Sequence, residues 1–144
     1  MPRDYAKDQL KTLDRIAKKL TDLEGHLVRV EDSIGDKKHH TAQHEAMKDM
    51  REILKKADKV DHYSDKLEKF AGEGRKDPAA NHTIYIEEEA PVVESLKTLF
   101  NETDAKLAKL TPADGSRIEE YEAMKDYLGK AKEVLKKAGR WPAE

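Results

Sequence analysis

Six histidines and a short acidic run are the residues of this 144-residue chain whose chemistry could hold a metal ion. The histidines are His26, His39, His40, His44, His62 and His82, and Glu87, Glu88 and Glu89 follow the last of them closely. Imidazole and carboxylate together suit iron, manganese or zinc, provided that facing helices aim them at one spot. Cysteine is absent, which excludes thiolate metal sites, iron–sulfur clusters and a cysteine nucleophile. Clustered glutamates also hold magnesium in helical nucleotide pyrophosphohydrolases, but Glu87–Glu89 with Glu102 and Asp104 lack the spacing that pattern needs. Ser33, Ser64, Ser95 and Ser116 have no nucleophile-elbow context, so no catalytic constellation emerges and the chain reads as a binder rather than an enzyme.

The elements that must position these groups are helices. Leu13, Ile16, Leu20, Leu23, Leu27, Val30 and Ile34 follow alternating steps of three and four, which draws one apolar seam along a helix over 4–34. Gly35 is suited to the left-handed position after its end, and Asp36 to capping the next helix. That helix, over 37–71, carries Ala46, Met50, Ile53, Ala57, Val60, Leu67 and Ala71 in the same rhythm before Gly72 and Gly74. Asp77-Pro78 is a helix-start signal for a third helix over 78–110, with Val93, Leu96, Phe100, Leu107 and Leu110 as its seam. Pro91 falls inside it and is expected to kink it or to separate two pieces. Thr111-Pro112-Ala113-Asp114 repeats the cap logic for a fourth helix over 112–138, whose seam is Tyr121, Met124, Leu128, Ala131, Leu135 and Ala138. Short connections favour antiparallel neighbours, so the expected fold is all-α: a single-domain, up-down-up-down four-helix bundle of long helices spanning 1–144.

Composition narrows the function classes. Charged residues make up 40% of the chain, yet 28 basic against 30 acidic side chains leave a net charge of only −2. A nucleic-acid or anionic-membrane binder would carry a basic excess or stripe, and none is visible. Met1-Pro2-Arg3-Asp4 leads directly into an amphipathic charged helix, so the expectation is a soluble, cytoplasmic chain with no membrane span. One internal echo appears, with Gln43–Met50 set against Glu120–Tyr127.

Within that architecture the histidine spacing resembles the hemerythrin-like, or HHE cation-binding, family of four-helix bundles. His44-Glu45-Ala46-Met47 is similar to the family's first histidine motif. His82-Thr83-Ile84-Tyr85-Ile86-Glu87-Glu88-Glu89-Ala90-Pro91 is similar to its H-x-x-x-E-E motif followed by proline, with Ile86 rather than a carboxylate four residues after His82. The resemblance implies a non-haem iron site, of the di-iron type, that binds dioxygen or a related small molecule for carriage, storage or sensing. It implies ligation by His44 and His82, bridging or terminal coordination by Glu87 or Glu89, and Tyr121 nearby as a hydrogen-bond donor.

A helical projection at about 100° per residue puts His82 on the same side as Glu89, Val93 and Phe100, facing the core. It turns His44 and His62 away from the seam of their helix. The residues therefore leave a second reading open. In it the chain is a metal-free interaction module whose seams and charged flanks mediate homodimerisation or docking to a protein partner, and no histidine has a special role.

Overall fold

The computed structural model describes the backbone over residues 5–72, 76–113 and 118–141, and the side chains over 5–69, 89–110 and 121–141. It is an all-α bundle of four helices, α1 (Tyr5–Asp32), α2 (His39–Gly72), α3 (Lys76–Ala113) and α4 (Ile118–Lys137), with no strand among the described residues. The seams form its core. On α1 the buried positions Ala6, Gln9, Leu13, Ile16, Leu20, Leu23, Leu27 and Val30 repeat every seven residues. The seam of α4 is buried from Tyr121 to Ala138 in the same alternation. A period of 3.5 residues keeps each seam facing its partners along the whole helix. Full burial of each leucine or isoleucine contributes about 1.5–3 kcal/mol.

Polar residues occupy several seam positions. Gln43 and Ser64 fall in step with the apolar series of α2, and Glu89 and Thr103 with that of α3, and all four are buried. Thr103 satisfies its hydroxyl locally by donating to the Leu99 carbonyl at 2.7 Å. Ser64 does so across the bundle, and Glu89 faces a cation there, as described below.

Both left-handed glycines stand where the turns need them. Gly35 has φ 84° and Gly139 has φ 73°. At the end of α4 the Gly139 N–H donates to the Lys136 carbonyl at 3.0 Å and the Arg140 N–H to the Leu135 carbonyl at 2.9 Å. This 5→2 and 6→1 pair is a Schellman turn, which satisfies orphan carbonyls and folds the chain back over the helix end. Before α2 the Asp36 carboxylate accepts from the Lys38 N–H at 3.2 Å, so the cap forms, although α2 itself begins at His39.

Two expectations are corrected, at Ile34 and at the start of the fourth helix. Ile34 lies beyond the last turn of α1 and is 40% exposed, so the first seam ends at Val30. Of the two outcomes expected at Pro91, division of the third helix does not occur; the ring's fixed φ is itself helical, and the helix continues at the cost of one hydrogen bond and crowding against the carbonyl four residues back. The same tolerance lets α3 run through Thr111 and Pro112 to Ala113, so the fourth helix starts at Ile118 and not at 112. The two echoed stretches differ in burial: Ala46 and Met50 are buried while Ala123 and Tyr127 are half-buried, and Met47 and Met124 are reversed. Ala71 lies outside the residues whose side chains are described.

The helices do not contact one another equally. α1 and α2 form the central pair, α3 lies mainly against α1 and α4 against α2, while α1 and α4 do not meet among the described residues. Between α1 and α2 the partners are Gln9 with Ser64, Lys19 with Glu52, His26 with Asp49 and Ser33 with His39, numbers that run in opposite directions. Between α2 and α4 they are His39 with Tyr121, Arg51 with Tyr127, Asp61 with Lys137 and Ser64 with Ala138, numbers that rise together.

Candidate functional site

The expected metal donors are best followed one at a time. His44 is exposed on α2, with its ring edge-on to His40 at a centroid distance of 4.7 Å. Glu89 is 1% exposed and lies against Arg140, whose Nε is 2.6 Å from its Oε2. The side chains of His82 and Glu87 lie outside the described residues. Tyr121 is fully buried, and its hydroxyl is 3.5 Å from Nε2 of His39, which in turn has Nδ1 3.1 Å from the Ser33 hydroxyl. His26 bonds through Nδ1 to the buried carboxylate of Asp49.

These positions separate the expected ligands. Arg140 joins Glu89 to Gln9, and Gln9 bonds Ser64 on α2. Ser64 lies twenty residues after His44 along α2, about 30 Å at the rise of a helix. His44 and Glu89 therefore stand too far apart to share one ion. His82 is on α3 two turns from Glu89, at the far end from His44. Among the described residues no group of three or more histidine, aspartate or glutamate side chains stands together as a metal site. The described donors do not fit a di-iron centre.

Glu89 lies in a buried polar layer, in which its two carboxylate oxygens and Arg140 Nη2 have no aligned hydrogen bond among the described residues. Gln9 Nε2 donates to the Val60 carbonyl at 2.9 Å and to the Ser64 hydroxyl at 2.7 Å. Ser64 donates to the Ala138 carbonyl at 2.9 Å, and Arg140 Nε donates to Gln9 Oε1 at 3.0 Å. Because the Nε–H is aimed at Gln9, the close approach to Glu89 is an ion pair without an aligned hydrogen bond. Burial pushes the Glu89 carboxyl above the usual carboxylate range, and the Arg140 charge pulls part of that shift back. All four helices thus converge on one buried charge. Trp141 follows, with its ring 5.5 Å from that of Phe100.

Sequence reasoning found Glu89 but missed Gln9, Ser64 and Arg140. The signal for the first two was present, since each is a polar residue in step with an apolar seam. Arg140 gave none, because it lies past the helix and reaches the layer only through the Schellman turn.

Two further charged seams line the bundle. Lys19 Nζ is 2.9 Å from Glu52 and 3.6 Å from Asp49. The hydrogen bond with Glu52 raises the Lys19 pKa and lowers that of Glu52. Glu24 on α1 faces Glu102 on α3, and its carboxyl is raised by desolvation first and by its hydrogen bond with Glu102 second.

Several open clefts mark the outside of the bundle among the described residues. A cleft of about 910 Å³ between α2 and α4 has Leu54, Gly129 and Val134 among its lining, with Asp58, Glu122, Lys125, Asp126, Lys130 and Glu133 around them. Gly129 stands inside a helix, where glycine costs about 1 kcal/mol relative to alanine. A Cβ added there would meet nothing within 4 Å, so the bundle's own packing does not call for the glycine.

No family model, curated protein or solved structure matches this chain. No described helix is long and apolar enough to cross a membrane.

Proposed function

We propose that this chain is a helical interaction module that works through its surface, with the α2–α4 cleft as the docking face. One observation carries the reading: the cleft is open, has apolar side chains and a bare glycine in its lining, and is edged by charges of both signs. Such a lining suits an amphipathic helix, whose apolar stripe covers Leu54 and Val134 while its flanks meet the rim. The chain course that fits the helix pairings is up-down-up-down, with α1 and α2 as the rigid centre that presents α4. The buried layer around Glu89 and Arg140 is a structural lock in this reading, and the histidines have no shared role.

A photo-activatable cross-linking residue tests the proposal when it replaces Lys130 on the cleft rim or Lys18 on the surface of α1. In cells that express the full chain, adducts identified by mass spectrometry are expected from position 130 and not from position 18. Equal adduct yields from the two positions, or none from position 130, overturn it.

A further inference from the structure

The cleft's charges say more than that something docks there. The outward side chains of α4 alternate in sign around Gly129: Glu122 and Lys125 precede it, and Glu133 and Lys136 follow it. Lys125 and Glu133 stand equally far on either side of the glycine, as do Glu122 and Lys136. Each equidistant pair has opposite charge. Two copies of α4 laid antiparallel, crossing at Gly129, would therefore set Lys125 of each against Glu133 of the other, and Glu122 of each against Lys136. We propose that the occupant of the α2–α4 cleft is α4 of a second copy of this chain, in a two-fold dimer with Gly129 at the axis.

Three physical points support this. A two-fold interface must be self-complementary, and a run of charges that inverts its sign about one point meets that condition in an antiparallel pair. Glycine at the crossing lets two backbones approach closely, and a Cβ built at Gly129 meets no described atom within 4 Å in one copy. Leu54 and Val134, both half-buried in one copy, would lose their remaining exposure. A further charge match places Asp126 opposite Lys132; within one copy Asp126 holds Lys130 at 2.9 Å, Lys132 bonds Asp104 and Lys136 lies 3.7 Å from Glu133, so the dimer would exchange these contacts for ones between copies. One short helix and its groove make a small interface, so the dimer is expected to be reversible and sensitive to salt.

This inference rests on the docking reading of the cleft and narrows it to one partner. Its test is a charge exchange read by sedimentation velocity over a wide concentration range of the full chain. Lys125→Glu alone and Glu133→Lys alone are each expected to weaken self-association by about tenfold or more. The double variant Lys125→Glu/Glu133→Lys is expected to restore it. The two positions lie two turns apart on one helix, too far to pair within a copy, so rescue reports a contact between copies. The chain has no cysteine, so Gly129→Cys gives an independent reading. Mild oxidation should cross-link it into dimers much faster than Lys18→Cys.

A chain that stays monomeric at every concentration, a dimer indifferent to the charge exchange, or equal cross-linking of the two cysteine variants overturns the inference. If the cross-linker at position 130 still captures another protein while self-association fails, the docking reading stands and only the second copy is refuted. If it captures nothing, both fall.

Discussion

Replacing Arg140 by methionine removes the cation from the buried layer while keeping an unbranched apolar chain in its place. Glu89, 1% exposed, is then left without a counter-charge, and Gln9 Oε1 loses its donor. Breaking a buried pair by deleting one partner costs about 3–5 kcal/mol. That is a large part of the 5–15 kcal/mol typical of a whole domain, and corresponds to a fall in melting temperature of about 10 °C. The loss must depend on pH. Burial already favours the protonated form of Glu89, and the one group that opposes this shift is Arg140. Without Arg140 the carboxyl can stay neutral at low pH but must either ionise without a partner or hold its proton against rising pH. Urea unfolding followed by circular dichroism at about pH 5 and about pH 8 should therefore show the smaller loss at the lower pH. Glu89→Met with Arg140→Met should recover more than half of it, since two apolar groups replace the pair. A loss below about 1 kcal/mol that is equal at both pH values, or a double variant no better than Arg140→Met, would refute the buried-layer reasoning.

Three other outcomes follow from the same structure. Gln43 is 1% exposed, and neither of its amide atoms has a hydrogen-bond partner among the described residues, so Gln43→Met should stabilise the fold by about 1 kcal/mol or more in thermal melts. Gly25→Ala should stabilise by up to about 1 kcal/mol, since its Cβ meets nothing, whereas Gly139→Ala, at φ 73°, should cost about 1–2 kcal/mol; paired urea titrations compare the two. Glu24 holds its proton more tightly folded than unfolded, so the stability it contributes is full below the ordinary value of 4.5 and is lost as pH rises through the raised value. Glu24→Gln should flatten that decline, measured as the slope of unfolding free energy against pH.

The seams were legible because their signal repeats every seven residues, and a single exception does not erase it. Leu13 to Val30 and Tyr121 to Ala138 are buried as their spacing requires. Helix ends were less legible because proline acts twice. Its fixed φ starts a helix well but also fits inside one, and Pro91 and Pro112 both take the second role. The helical projection placed His44 in solvent, while the resemblance required it inside; the projection describes its position. Glu89 was legible as a core-facing carboxylate, but Arg140 beside it was not, because the chain's return at Gly139 decides that this cation meets it. The cleft left no mark on the hydrophobic pattern, since it depends on how far α2 and α4 stand apart above Leu54 and Val134.

In the docking reading the interior of the bundle holds no metal and the chain acts through its surface. Metal content decides that most directly: the chain is purified from cells grown with added iron, the metal per chain is measured, and the melting temperature is recorded with and without iron. The account predicts less than about a tenth of an equivalent and an unmoved melting temperature. About one or two equivalents of iron, lost on replacing His82 by alanine or Glu89 by glutamine, would contradict it.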